Sequence, residues 1–205
     1  MIGVDSRLGS AYKHADANHI LSIIIDKGII EITSIPRDTP ADAGYEENDT
    51  LDLNRLTNVY PRKGREAYFK EAAMIAGLDR IHYYVELGFS QAMGILELLG
   101  YRQSSETLQV LRSRNVLGGD DFQRTYNQGQ FIRQAVLNHF DKLTGFFRGL
   151  VLRGGLSLVK TNLTYDKAAY IIDRLEKNNL TSDPDNITVR VRPAIPIKFK
   201  KFNKS

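Results

Sequence analysis

The stretch HILSIIIDKGIIEITSIP, residues 19–36, leaves the chain little choice of local structure. Its isoleucines and threonine are stiff at Cβ, poor in a helix and well suited to a pleated surface. Two such runs, 19–25 and 29–35, flank Asp26-Lys27-Gly28, the chemistry of a short hairpin turn. Pro36 ends the second strand because it brings no N–H to a ladder.

The remainder alternates between helix and strand signals. Residues 40–62 are polar and read as a long loop with at most a short helical turn. Residues 63–76 have the spacing of a helix closed by Gly77. IHYYVEL (81–87) alternates as a strand does, and SQAMGILELLG (90–100) reads as an apolar helix with Gly100 just past its end. LQVLRSR (108–114) reads as another strand. Residues 126–143 predict a long helix, in which Gly129 costs about 1 kcal/mol of propensity. Residues 163–177 predict a helix capped by Thr164, with Ala168, Ile171, Ile172 and Leu175 as its stripe. ITVRVRPAIPIKF (187–199) supplies an edge-like strand with prolines. The expected fold is α/β (α+β), a single domain over 1–205 with helices layered around a central mixed sheet.

Composition removes several chemistries. There is no cysteine, hence no disulfide and no thiolate metal site. The four histidines, 14, 19, 82 and 139, include no i,i+4 pair for a helical zinc site. No apolar run approaches the roughly 20 residues of a spanning helix. The formal charge of +4 is mild and its basic residues are dispersed, with no helix-turn-helix or aromatic RNA-binding signature. A nucleic-acid partner is therefore not expected.

The positive charge that does cluster lies in RSRNVLGGDDFQR, residues 112–124. On the expected strand, Arg112 and Arg114 leave the same face. Arg124 follows the turn GGDD and sits near the start of the next helix. Guanidinium forks beside helix-end amides suit a phosphate or pyrophosphate. Spacing alone equally allows surface pairing with Asp120 and Asp121. Arg37 and Asp38, in SIPRDT, leave the sheet at a strand end, where open α/β sheets place ligands. Asp5 and Asp16 each flank a strand; two carboxylates with phosphate oxygens form a hard, oxygen-rich Mg²⁺ site, whereas singly each reads as a turn or capping residue.

Taken in order, GVDSR, HADANHILSII, ITSIPRDT, IHYYVELGFSQAMGILELLG and LRSRNVLGGDDFQRTYNQGQFIRQAV resemble the LytR-CpsA-Psr family of cell-envelope phosphotransferases, once described as transcriptional attenuators. The likeness spans residues 2–136, and VKTNLTYDKAAYIIDRL (159–175) continues it. The RxR, with Asp121, Arg124 and Gln128 behind it, is its most specific part. The resemblance implies transfer of a polyprenyl-(pyro)phosphate-linked glycan to peptidoglycan or another wall acceptor, outside the cytoplasmic membrane. The lipid tail would run into an apolar pocket of sheet and helices. It implies Mg²⁺ on Asp5 and Asp16, and phosphates on Arg37, Arg112, Arg114, Arg124 and Gln128. Arg37, Asp38 and Asp121 become the catalytic candidates, the two carboxylates by orienting groups or taking the acceptor's proton. The abrupt start of the chain fits a piece of a longer protein anchored by an N-terminal membrane segment.

Three positions depart from the family pattern: His14 and Asn127 stand where arginines are usual, and Thr57 where an asparagine is. The segment between ELLG and RSR is also short. Less fixed positive charge weakens diphosphate binding. Two alternatives to transfer are thus a non-catalytic polyprenyl-phosphate-binding module and a polyprenyl pyrophosphatase.

Overall fold

The computed structural model describes residues 1–5, 14–46, 53–113 and 120–193, of which residues 2, 4, 5 and 112 by backbone alone. In chain order the elements are β1 (Ile2–Asp5), β2 (His14–Ile24), β3 (Ile29–Ile35), α1 (Leu56–Ala76), β4 (Val85–Leu87), α2 (Phe89–Leu98), α3 (Ser104–Arg112), α4 (Asp121–Thr144), α5 (Arg148–Leu158), β5 (Lys160–Thr161), α6 (Tyr165–Lys177) and β6 (Ile187–Val191). The strands form one mixed sheet in the order β5-β4-β1-β2-β3-β6. The isoleucine-rich hairpin β2–β3 lies inside it, antiparallel and in register from Asn18 opposite Ile35 to Ile24 opposite Ile29. β6 pairs parallel to β3 and forms an edge, as expected of the 187–199 segment.

Alternation along β3 divides the core in two. Ile35 joins Ala15, Leu56, Val59 and Tyr68 beneath α1. Ile30 and Ile32 point the other way, to Phe140, Leu152, Ile172 and Leu175 of α4, α5 and α6. The sheet is thereby covered on both faces, the three-layer arrangement expected. Inside the first layer, Tyr68 donates to Asn18 Oδ1 at 2.6 Å, and burial pushes its phenol well above the usual range.

Two glycines have distinct structural reasons. Gly64 takes φ +83° inside α1 and joins two helical stretches across a kink. That break explains why the sequence pattern shows the helix only from residue 63. Gly129, an apparent defect in α4, is the point at which the helix presses on the sheet. A Cβ there would lie 2.5 Å from Ser34 Oγ and 2.7 Å from Val189 Cγ1. Helix propensity alone predicts that Gly129→Ala stabilises by about 1 kcal/mol. Overpacking of a close-packed interior outweighs it, at about 1–3 kcal/mol. Urea unfolding of this variant is expected to show a net loss; a raised midpoint would refute the packing argument.

One expected element is overturned. Of the strand expected over 108–114, residues 108–112 are helical instead: Leu108 and Leu111 lie within α3, which packs against α2 with Ser104 Oγ donating to Glu97 Oε1 at 3.1 Å. Leucines three apart line one helical face, a period that a short apolar run conceals. Arg112 therefore ends a helix, and the same-face argument for Arg112 and Arg114 fails. Arg114 lies outside the described residues. The strand expected over 81–87 is shorter, Val85–Leu87, and α5 lies in a stretch for which the sequence raised no expectation.

Candidate functional site

Asp5 at the end of β1, Arg37 just past β3, the last residue of α3 and the first turn of α4 all belong to one end of the sheet. The β2–β3 register, extended from Asn18 opposite Ile35, sets residue 37 opposite residue 16. Asp16 is also the extra residue where the β1–β2 register shifts: Val4 pairs with Ala15 and Gly3 with Ala17. Such a bulge re-aims the side chain it carries. Arg37 Nη1 donates to Asp16 Oδ1 at 2.8 Å.

The segment carrying Arg37 is fixed by the start of α1. Thr57 N–H donates to the Arg37 carbonyl at 3.0 Å and Leu56 N–H to that of Thr39 at 2.9 Å. Two helix-end amides thus find acceptors in the loop they hold. Thr39 Oγ1 closes the turn on Pro36 O at 2.7 Å. Arg55, immediately before α1, donates to Asp38 Oδ1 at 2.9 Å. α4 contributes from the far side of the sheet. Asp120 caps it by accepting from Gln123 N–H at 2.7 Å, which begins the helix at Asp121 and brings Arg124 into its first turn. Asp121 and Arg124 pair directly.

Arg37 connects these groups. Its Nε lies 3.8 Å from Asp38 Oδ1 and 3.9 Å from Asp121 Oδ1. Burial opposes its charge, but Asp16, Asp38 and Asp121 outweigh burial and raise its pKa above the ordinary value. Its Nε is buried without a hydrogen-bond partner among the described residues. So is Thr57 Oγ1, at one of the three positions that depart from the family pattern.

The sequence-derived candidates divide as follows. Arg37, Asp38, Asp16, Asp121 and Arg124 come together. Asp5 is placed by its backbone, its Cα opposite His14, two residues from Asp16 on the neighbouring strand. Arg112 is placed by its backbone at the end of α3. Gln128 lies one turn beyond Arg124 and donates to Leu111 O at 3.0 Å, tying that end of α3 to α4. Its amide N–H thus serves the neighbouring backbone and holds residue 112 to the site. Asn127 accepts from Gln123 Nε2 at 3.0 Å on the same helix.

Arg55 was not anticipated. It sits in the polar stretch read as a loop, and nothing local marks it; only the pairing of Pro40 with Arg55 reveals why it faces Asp38.

Chemically, the described cluster balances three guanidinium groups, Arg37, Arg55 and Arg124, against three carboxylates, Asp16, Asp38 and Asp121. A diphosphate needs positive charge beyond that balance. Asp16, whose Oδ1 accepts from Arg37, and Asp5, placed by its backbone on the adjacent strand, are the residues that would hold a divalent cation.

These features define an α/β/α domain with an arginine–aspartate cluster at one end of its sheet. The fold is shared with TagV of B. subtilis, at a TM-score of 0.73 and 14% identity over 93% of this chain and 81% of that one. TagT bound to LIIa-WTA matches at 0.67 and 16%, over 93% and 76%. A LytR-Csp2A-Psr enzyme from Actinomyces oris matches at 0.66 and 15%, over 93% and 78%. No family model and no curated protein matches the chain. The LytR-CpsA-Psr resemblance carried by five ordered segments is thus met by a shared fold.

Proposed function

We propose that this chain is an Mg²⁺-dependent phosphotransferase that moves a polyprenyl-(pyro)phosphate-linked glycopolymer onto peptidoglycan or another cell-wall acceptor, at the outer face of the cytoplasmic membrane. One observation carries the reading: Asp16, Asp38 and Asp121, from three segments, meet at the Arg37 guanidinium, and Arg55 and Arg124 pair with two of them. TagT, a protein of the same fold, is known bound to LIIa-WTA, and that supports a glycan-linked substrate here.

In this reading Arg37 and Arg124, with Arg112 and Arg114, grip the phosphates, and Gln128 holds the end of α3 in place. Asp5 and Asp16 would hold Mg²⁺, which supplies charge neutralisation on the diphosphate. An acceptor hydroxyl oxygen attacks the glycan-bearing phosphorus. The bond from that phosphorus to the bridging oxygen breaks, polyprenyl phosphate leaves, and the hydroxyl proton passes to Asp38 or Asp121. The protein's contribution is position and fixed charge, which is most of what phosphoryl transfer requires. Arg55 orients Asp38.

Fluorescent lipid-diphosphate glycan incubated with peptidoglycan fragments should label the fragments in Mg²⁺ and not in EDTA. Prenyl-phosphate binding without transfer would instead establish a binding module. Phosphate release with no acceptor present would establish a pyrophosphatase.

A further inference from the structure

The turn between α4 and α5 carries the most exposed large apolar side chains described. Phe146 is 96% exposed, Phe147 66% and Leu150 70%. The two rings meet edge to face at 5.2 Å between centroids. A soluble domain seldom leaves adjacent aromatics this bare unless something covers them. Beside them an apolar cleft, lined by Leu98, Phe147 and Val151, runs between α2 and α5 toward Gly94 and Leu158.

Charge identifies the partner. From Lys142 to Lys160 the chain has four cations, Lys142, Arg148, Arg153 and Lys160, and no Asp or Glu. Asp173 pairs with Arg148, and Asp141 borders the cleft, so part of this charge is met within the protein. Arg153 lies over the Tyr165 ring at 4.8 Å, and Lys142 donates to Leu99 O at 2.6 Å. Protruding aromatic rings flanked in sequence by cations with apolar stems are the composition of a segment that rests in a bilayer interface. A second copy of this chain would bring cations against cations, whereas an anionic lipid surface complements them.

We propose that the α4–α5 turn docks on an anionic phospholipid surface, with Phe146, Phe147 and Leu150 entering the headgroup boundary. The turn lies at the opposite end of α4 from Arg124, about 30 Å away for the length of helix between them. It is therefore separate from the charged cluster, and its docking is read without any glycan substrate.

The chain contains no tryptophan, so Phe147→Trp places a single reporter at the turn. With vesicles of phosphatidylcholine and phosphatidylglycerol at 3:1, its emission should shift to the blue and be quenched by brominated acyl chains. Raising salt, or using phosphatidylcholine alone, should weaken binding. The Phe146→Ser/Phe147→Ser variant should bind these vesicles at least about tenfold more weakly, with its thermal unfolding unchanged. Unshifted emission, equal vesicle binding by the serine variant, or a blue shift that tracks self-association without lipid would each overturn the proposal.

Discussion

Arg37→Ala is expected to lower the transfer rate by about 100-fold or more, the usual effect of removing one preorganised donor from a charged transition state. The loss should appear mainly in kcat, because Arg124 still attracts substrate while the geometry at the phosphorus is gone. The same change should reduce stability. It removes the group that lies between Asp16, Asp38 and Asp121; Asp38 and Asp121 keep Arg55 and Arg124, while Asp16 loses the guanidinium that donates to it. All four side chains are partly open to solvent, 28% for Arg37 and 19–27% for the acids. The penalty is therefore well below the 3–5 kcal/mol of a fully buried broken pair, and about 1–2 kcal/mol is expected. Arg37→Lys keeps the charge but not the fork, so it should recover stability more than activity. A double-mutant cycle with Asp16→Asn separates the terms: coupling of about 0.5 kcal/mol or more is expected between residues in contact. An Arg37→Ala protein that transfers at the normal rate would remove Arg37 from the chemistry and with it the present reading of the cluster.

How much of this was legible in sequence depends on how local each cause is. The β2–β3 hairpin was, because Ile and Thr runs around a turn act through neighbours alone. The helix at 165–177 was, because Thr164 accepts from the Lys167 N–H as its cap and Ala168, Ile172 and Leu175 bury one stripe. α4 was read late, from 126 instead of 121, since its true start depends on the Asp120 cap. The convergence of Arg37 with Asp121 and Arg124 was legible only through the ordered segments of the family likeness. It joins residues more than eighty apart, and no local period encodes it. Arg55 stayed hidden for the same reason. α3 misled because the short run Leu108–Leu111 fits both periods, and its packing on α2 decided between them. Gly129 shows the converse: a residue that local propensity marks as a flaw is required by what lies 2.5 Å away on another strand.

Gly129 also bears on the largest expected effect on stability. The Ser34 it covers is in hydrogen-bond contact with His19 Nδ1 at 2.8 Å, and both residues are buried, 0% and 2% exposed. Burial, and after it the charge of the nearby N-terminus, lowers the His19 pKa from 6.5 to about 3, with a hydrogen bond to Gln128 opposing them in part. Folded, the ring stays neutral; unfolded, it takes a proton near pH 6.5. Between those values unfolding takes up a proton, so stability rises with pH: it is fully present above about pH 6.5 and is lost as pH falls toward 3. The slope approaches about 1.4 kcal/mol per pH unit, or about 3 kcal/mol between pH 6.5 and 4. That exceeds any single packing change considered above, and it acts on the contact that holds α4, with Arg124 and Gln128, against the sheet. Denaturant unfolding at half-unit steps of pH should trace this decline. His19→Gln, which keeps a neutral polar group of similar reach, should be less stable at pH 7 and should decline less steeply than the parent from pH 6.5 to 4.5; the slope it keeps above pH 5 belongs to the buried Met1 amine, which burial lowers from 8.0 to about 5. If the variant declines as steeply as the parent, the acid sensitivity belongs to another group, the buried Met1 amine first, and not to His19.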